Sequence, residues 1–119
     1  MATYYKELIV WQKAILLVKQ IYLLTKTFPA SEMYGLVNQM RRASVSIPSN
    51  IAEGQTRKTP ADFARFLSIS HGSLAELETQ MIIARELGYV SQAQYDEYSA
   101  LHDEVSKMLI ALKTKFSKN

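Results

Sequence analysis

The two histidines, His71 and His102, are the side chains of this 119-residue chain that titrate closest to neutrality, so acid–base chemistry would start with them. Neither follows a carboxylate at the Glu-x-x-His spacing of a di-iron or di-manganese bundle, so neither a metal site nor a cofactor is expected. No glycine-rich phosphate loop and no Ser-His-Asp signature is present. Cysteine is absent, which excludes disulfides, thiolate metal sites and cysteine nucleophiles. No catalytic residue is assigned, and the chain reads as a binding protein rather than an enzyme.

Two polar groupings stand out. Arg65 and His71, with five residues between them, resemble the loose arginine–histidine motif of the α-helical HEPN-type ribonucleases, although apolar Phe66 stands where a polar residue is usual. This makes a ribonuclease the most distant of the readings. A row of Gln39, Arg42, Ser46, Asn50 and Glu53, with Ser49 beside it, suits a hydrogen-bonded network that holds helices in register better than it suits a site. Basic residues remain. Residues 1–65 carry nine basic and four acidic side chains, and residues 66–119 carry five and seven, so the halves are +5 and −2 around a net charge of +3.

Sparse glycine and proline punctuate four long segments with no strand-like alternation. Helices are expected at about 6–27, 32–54, 60–87 and 92–116, in one domain spanning 1–119. In the first, Leu8, Trp11, Ile15, Val18 and Tyr22 form one apolar stripe, and Val10, Ala14, Leu17, Ile21 and Leu24 a second. Two stripes mean either a deeply buried helix or a face that packs on another subunit. The second helix has Ser31 as its expected N-cap and Leu36, Met40, Ala43, Ile47 and Ile51 as its core stripe. Pro48 should kink it rather than end it, because the apolar phase holds through Ile51.

The third helix opens on Thr59-Pro60-Ala61-Asp62, a capped start, and closes at Gly88. Gly72, mid-helix between Ser70 and Ser73, suggests the close approach of a neighbour. The fourth begins with the capping box Ser91–Gln94. Short loops make consecutive helices antiparallel, so the expected fold is an all-α, up-down-up-down four-helix bundle.

That topology gathers Lys6, Arg57, Lys58, Lys113, Lys115 and Lys118 at one end against Glu7, Glu53 and Asp62, and Glu32, Glu86, Asp96 and Glu97 at the other against Lys26 and Arg85. Helix C-termini favour lysine in any case, so the polarity has a structural reading as well as a phosphate-binding one. On the second reading Arg57, Lys58, Arg65, Lys113 and Lys115 contact nucleic-acid backbone without reading bases. Arg41 and Arg42 either extend that surface or are held in ion pairs. The apolar run from Leu8 is broken by Gln12, Lys13 and Lys19, which argues against a signal peptide or membrane span and for a cytoplasmic protein.

Several runs carry a family resemblance: Leu8–Ala14, Phe28-Pro29, Tyr34-Gly35-Leu36, Gln39–Ala43, Gly72–Gln80, Ala84–Tyr89 and above all Ser46-Ile47-Pro48-Ser49-Asn50-Ile51-Ala52-Glu53-Gly54. They resemble the bacterial four-helix-bundle family also called the intervening-sequence or S23 family, some members of which are encoded within intervening sequences of 23S ribosomal RNA genes. The resemblance implies a homopentameric ring and kinship with the nucleic-acid-binding accessory protein of diversity-generating retroelements. The expected function is therefore a non-enzymatic homo-oligomer contacting RNA or DNA. A protein–protein adaptor without a nucleic-acid role is the alternative.

Overall fold

The computed structural model describes residues 4–117, and among them four α-helices account for the architecture, with no strand. These are α1 (Ile9–Thr25), α2 (Asn38–Gln55), α3 (Pro60–Glu86) and α4 (Gln92–Ser117). Each of α1 and α3 packs against both α2 and α4, in an envelope of 46 × 24 × 21 Å. Contacts between α3 and α4 run in opposite directions along the two helices: Phe63 meets Phe116, His71 meets Ser106 and Glu78 meets His102. The core between the helices is built from Leu17, Ile21, Met40, Ile47, Ile51, Leu67, Leu74, Leu77, Met81, Tyr98, Val105 and Leu109, all essentially inaccessible. Burying a side chain of this size contributes about 1.5–3 kcal/mol relative to exposure.

Local signals explain most helix ends. The Asp62 amide donates to Thr59 Oγ1 at 3.1 Å, with Pro60 in the first turn, where its missing N–H costs nothing. Ser91 and Gln94 close the capping box in both directions, at 3.1 and 2.9 Å. At the end of α3 the Gly88 amide donates to the Arg85 carbonyl and the Tyr89 amide to the Ala84 carbonyl, the Schellman pattern, with Gly88 at φ +81°.

Three expectations change. The first helix begins at Ile9, after a 3₁₀ turn at Tyr5–Glu7, rather than at Lys6. The second does not start on a Ser31 cap. A 3₁₀ turn (Ala30–Glu32) leads into a π-helical turn (Met33–Val37), the backbone leaves helical values at Gly35 (φ −114°, ψ −107°), and α2 follows. Tyr89 donates to Glu32 Oε2 at 2.9 Å, and Phe28 lies against the Tyr89 ring, so tertiary contacts shape this corner. The α2 helix then continues through Pro48 without restarting at Ser49.

Gly72 is the third change. It is exposed, and a Cβ there would meet nothing within 4 Å. The close approach occurs at Gly54 instead, where a Cβ would lie 2.6 Å from Phe66 Cβ and 3.1 Å from Phe63 Cδ1. Hydroxyls hold the same α2–α3 seam: Ser70 Oγ donates to the Ile47 carbonyl at 2.9 Å, and Ser46 Oγ lies 2.8 Å from Ser73 Oγ.

The broad face of α1 divides between core and surface. Val10, Ala14, Leu17 and Ile21 are buried, while Ile15 and Tyr22 remain 41% and 38% exposed. Trp11, Ile15 and Val18 line an apolar groove of about 280 Å³ with Val45 and Pro48 of α2. The single chain therefore leaves one stripe of α1 only partly covered. No helix among the described residues is long and apolar enough to cross a membrane.

Candidate nucleic-acid interface

The close α2–α3 approach at Gly54 brings the Thr56–Thr59 loop to the end of the bundle where α1 begins and α4 ends. A cleft of about 410 Å³ lies there. Arg57 and Lys58 from the loop and Lys115 from α4 stand at its rim; Leu8, Phe63, Leu112 and Phe116 supply an apolar floor, with Gln55 beside them. The Phe63 and Phe116 ring centroids are 4.8 Å apart and tilted by 56°. This tilted aromatic pair ties the start of α3 to the end of α4.

Arg57 is positioned from two sides. Its Nη2 donates to Glu53 Oε2 at 2.7 Å, and its Cζ lies 4.8 Å from the centre of the Phe66 ring. Arg65 approaches the same ring at 4.5 Å and pairs with Asp62 at 3.6 Å. Both ion pairs are solvent-exposed, worth no more than about 1 kcal/mol, so they orient the guanidinium groups without withdrawing them from a phosphate. Lys58 has no carboxylate within 4.0 Å among the described residues.

Of the five basic residues expected at the interface, Arg57, Lys58 and Lys115 share the cleft, and Arg65 joins them one ring away. Lys113 does not line the cleft; it is half-buried and acts on His71. Lys118 lies outside the described residues. Arg41 does not extend the basic end, and among the described residues it forms no ion pair. Its Nε donates to the buried Thr25 Oγ1 at 3.0 Å and its guanidinium covers the Tyr22 ring at 4.6 Å, bracing the end of α1. Arg42 is exposed beside Tyr22 and Val45.

The polar row is shorter than its sequence spacing suggests. Asn50 Nδ2 donates to Ser46 Oγ at 3.0 Å and to the Ser46 carbonyl at 2.8 Å, and Ser46 reaches Ser73 across the seam. Glu53 turns to Arg57, while Gln39 is exposed like Arg42.

Arg65 and His71 do not converge. Six residues of α-helix place them about 120° apart around the axis. Arg65 packs toward Phe66, whereas His71 Nε2 lies 3.2 Å from Ser106 Oγ on α4. Burial, then the Lys113 and His102 charges, hold the His71 pKa below its ordinary value of 6.5. His102 is a core residue, with Nδ1 3.1 Å from the Tyr98 hydroxyl and Nε2 3.6 Å from Glu78. Burial, reinforced by Glu78, pushes the Tyr98 phenol well above its usual range, so it stays protonated. Among the described residues no three His, Asp or Glu side chains are grouped to hold a metal ion.

The aromatic floor and the spacing role of Gly54 escape a reading of charges alone. Phe63 and Phe66 are visible in sequence as core positions, but their partners, Phe116 and Arg57, come from other segments.

The fold and this end together define a small helical bundle with a cation-rimmed apolar cleft. The chain belongs to the 23S rRNA-intervening sequence protein family, whose pattern matches residues 6–111. It is also similar to a crystal structure of a protein of unknown function from the S23 ribosomal protein family of Bacteroides thetaiotaomicron VPI-5482. The two share 25% sequence identity and a TM-score of 0.80, over 88% of this chain and 98% of that one. No curated protein matches the chain.

Proposed function

We propose that the protein is a non-enzymatic homo-oligomer that contacts the backbone of RNA or DNA through the basic end of the bundle. The observation that carries this reading is the convergence of Arg57, Lys58 and Lys115 on one cleft, from two segments 58 residues apart in sequence at their extremes. The description of the family, tied to 23S ribosomal RNA, supports the same class of partner. The partly exposed α1 stripe supports self-association, and the family resemblance makes a pentameric ring the expected form. Five copies of three cations on one face would multiply the phosphate contacts, and affinity rises with the number of cations engaged.

The test is a titration of purified protein against generic RNA and duplex DNA across a salt series, with mass in solution measured alongside. Three phosphate contacts per subunit predict a log–log salt slope of roughly −2 to −3 per bound subunit. The double variant Arg57→Glu, Lys58→Glu should weaken binding and reduce that slope by about 2. An unchanged affinity in this variant would remove the loop from the interface.

The exposed side chains of α1, Ile9, Leu16 and Leu23 with Ile15, favour a second reading: a protein–protein adaptor whose positive end serves an acidic partner or solubility. The absence of binding to any nucleic acid at low salt, from an intact oligomer, would select it.

A further inference from the structure

Cations on a rim explain attraction to any phosphate chain, single or double. The floor between them asks for something more. Phe63, Phe116, Leu8 and Leu112 form an apolar surface that a duplex cannot use, because its bases are stacked inside and only its phosphates face outward. Gln55, half-buried in the same cleft, brings both a donor and an acceptor. The volume, about 410 Å³, falls within the range of small-ligand clefts. An apolar floor, one amide at its edge and cations around the mouth match the parts of a single nucleotide: flat base, polar base edge and phosphate.

We infer that the cleft receives an unpaired nucleobase, so that the protein selects flexible single strands over duplex. The inference rests on the nucleic-acid reading above and names the form of strand that this end accepts. The base lies against the half-exposed Phe116 ring beside Leu8 and Leu112, with Phe63 buried behind it, while Lys58 and Lys115 hold the phosphates flanking it. Arg57, already oriented by Glu53 and Phe66, needs little ordering to take a phosphate oxygen. Gly54 keeps the back wall open, since a Cβ there would also press on Phe63 at 3.1 Å. Contact of this kind is sequence-tolerant, because every base offers a flat face. Other places do not compete: the Tyr98–His102 pair is closed within the core, and the α1 groove is lined by apolar side chains with only the Tyr5 and Ser49 hydroxyls and the Trp11 indole N–H as polar groups and no charge.

The test needs no variant at first. Fluorescence anisotropy is measured on the full chain with a 15-residue single-stranded RNA, the same backbone with abasic sites throughout, a blunt duplex of equal length and the corresponding single-stranded DNA. Base contact predicts that the ordinary single strand binds roughly 5- to 100-fold more tightly than the abasic strand or the duplex at the same salt. A preference shared by RNA and DNA supports a site that holds the base; a preference confined to RNA supports one that holds base and ribose. Phe116→Ala should then narrow the gap by weakening the ordinary single strand more than the abasic strand or the duplex, and circular dichroism verifies that the variant is folded. Equal affinity for base-bearing and abasic strands would overturn the inference and leave the backbone reading standing. Binding to none of the four ligands would overturn both.

Discussion

Replacing Gly54 by alanine tests the feature on which the basic end is built. Carbon atoms pack best at about 3.5–4.0 Å. The new methyl would stand 2.6 Å from Phe66 Cβ, short by about 1 Å. Phe66 Cβ is fixed to the backbone of α3 and cannot rotate away, so α2 and α3 must part. Overpacking of this kind costs about 1–3 kcal/mol, against which alanine returns up to about 1 kcal/mol of helix propensity. Gly54 is next to last in α2, where that return is smaller, so the net loss should be about 1–2 kcal/mol. Gly72→Ala is the control. It lies mid-helix with open space around it and should gain about 0.5–1 kcal/mol. The two substitutions are chemically identical yet should move stability in opposite directions, separating by roughly 2 kcal/mol or 5–10 °C in Tm. Calorimetry at one fixed protomer concentration measures this, since association makes Tm concentration-dependent. A Gly54→Ala protein as stable as the wild type would refute the reasoning that the helices touch there.

Two further perturbations probe the histidines. The lowered pKa of His71 means the folded state resists its protonation; stability contributed by the neutral ring is complete above pH 6.5 and is lost as pH falls from there toward the folded pKa. His71→Gln should therefore flatten the decline of Tm below pH 6.5 relative to wild type, and identical acid limbs would contradict that assignment. His102→Ala should destabilise by about 2–4 kcal/mol, because it opens a cavity and leaves the buried Tyr98 hydroxyl without its partner. Adding Tyr98→Phe to that variant should recover about 1 kcal/mol in urea denaturation, and no recovery would mean that the phenol bond contributes little.

Much of the fold was legible because local chemistry marks the helix ends. Thr59 with Pro60, the Ser91–Gln94 box and Gly88 each satisfy orphan backbone groups using neighbours in sequence. The start of α2 was not legible, because Ser31 competes with contacts from Phe28, Glu32 and Tyr89 that exist only once α3 has folded back. The same divide runs through the site. Cationic residues are visible by type, but Lys113 and Lys115 differ by about 200° around α4, and only Lys115 lines the cleft. Gly54 reads as loop punctuation until the Phe66 Cβ behind it is known. Arg65 and His71 satisfy a spacing in one dimension that helical rotation separates in three.

The π-helical turn at Met33–Val37 bears on how this chain tolerates changes in length. Adding or removing one residue in an α-helix rotates everything beyond it by about 100°, which would carry Met40, Ala43, Ile47 and Ile51 out of the core. At Met33–Val37 the backbone leaves helical values at Gly35, so a rotation introduced before that break need not be carried into α2. The corner between α1 and α2 is thus a natural site for insertions and deletions. The Thr56–Thr59 loop has no such slack: a residue gained or lost there would displace Arg57 and Lys58 from the floor they border.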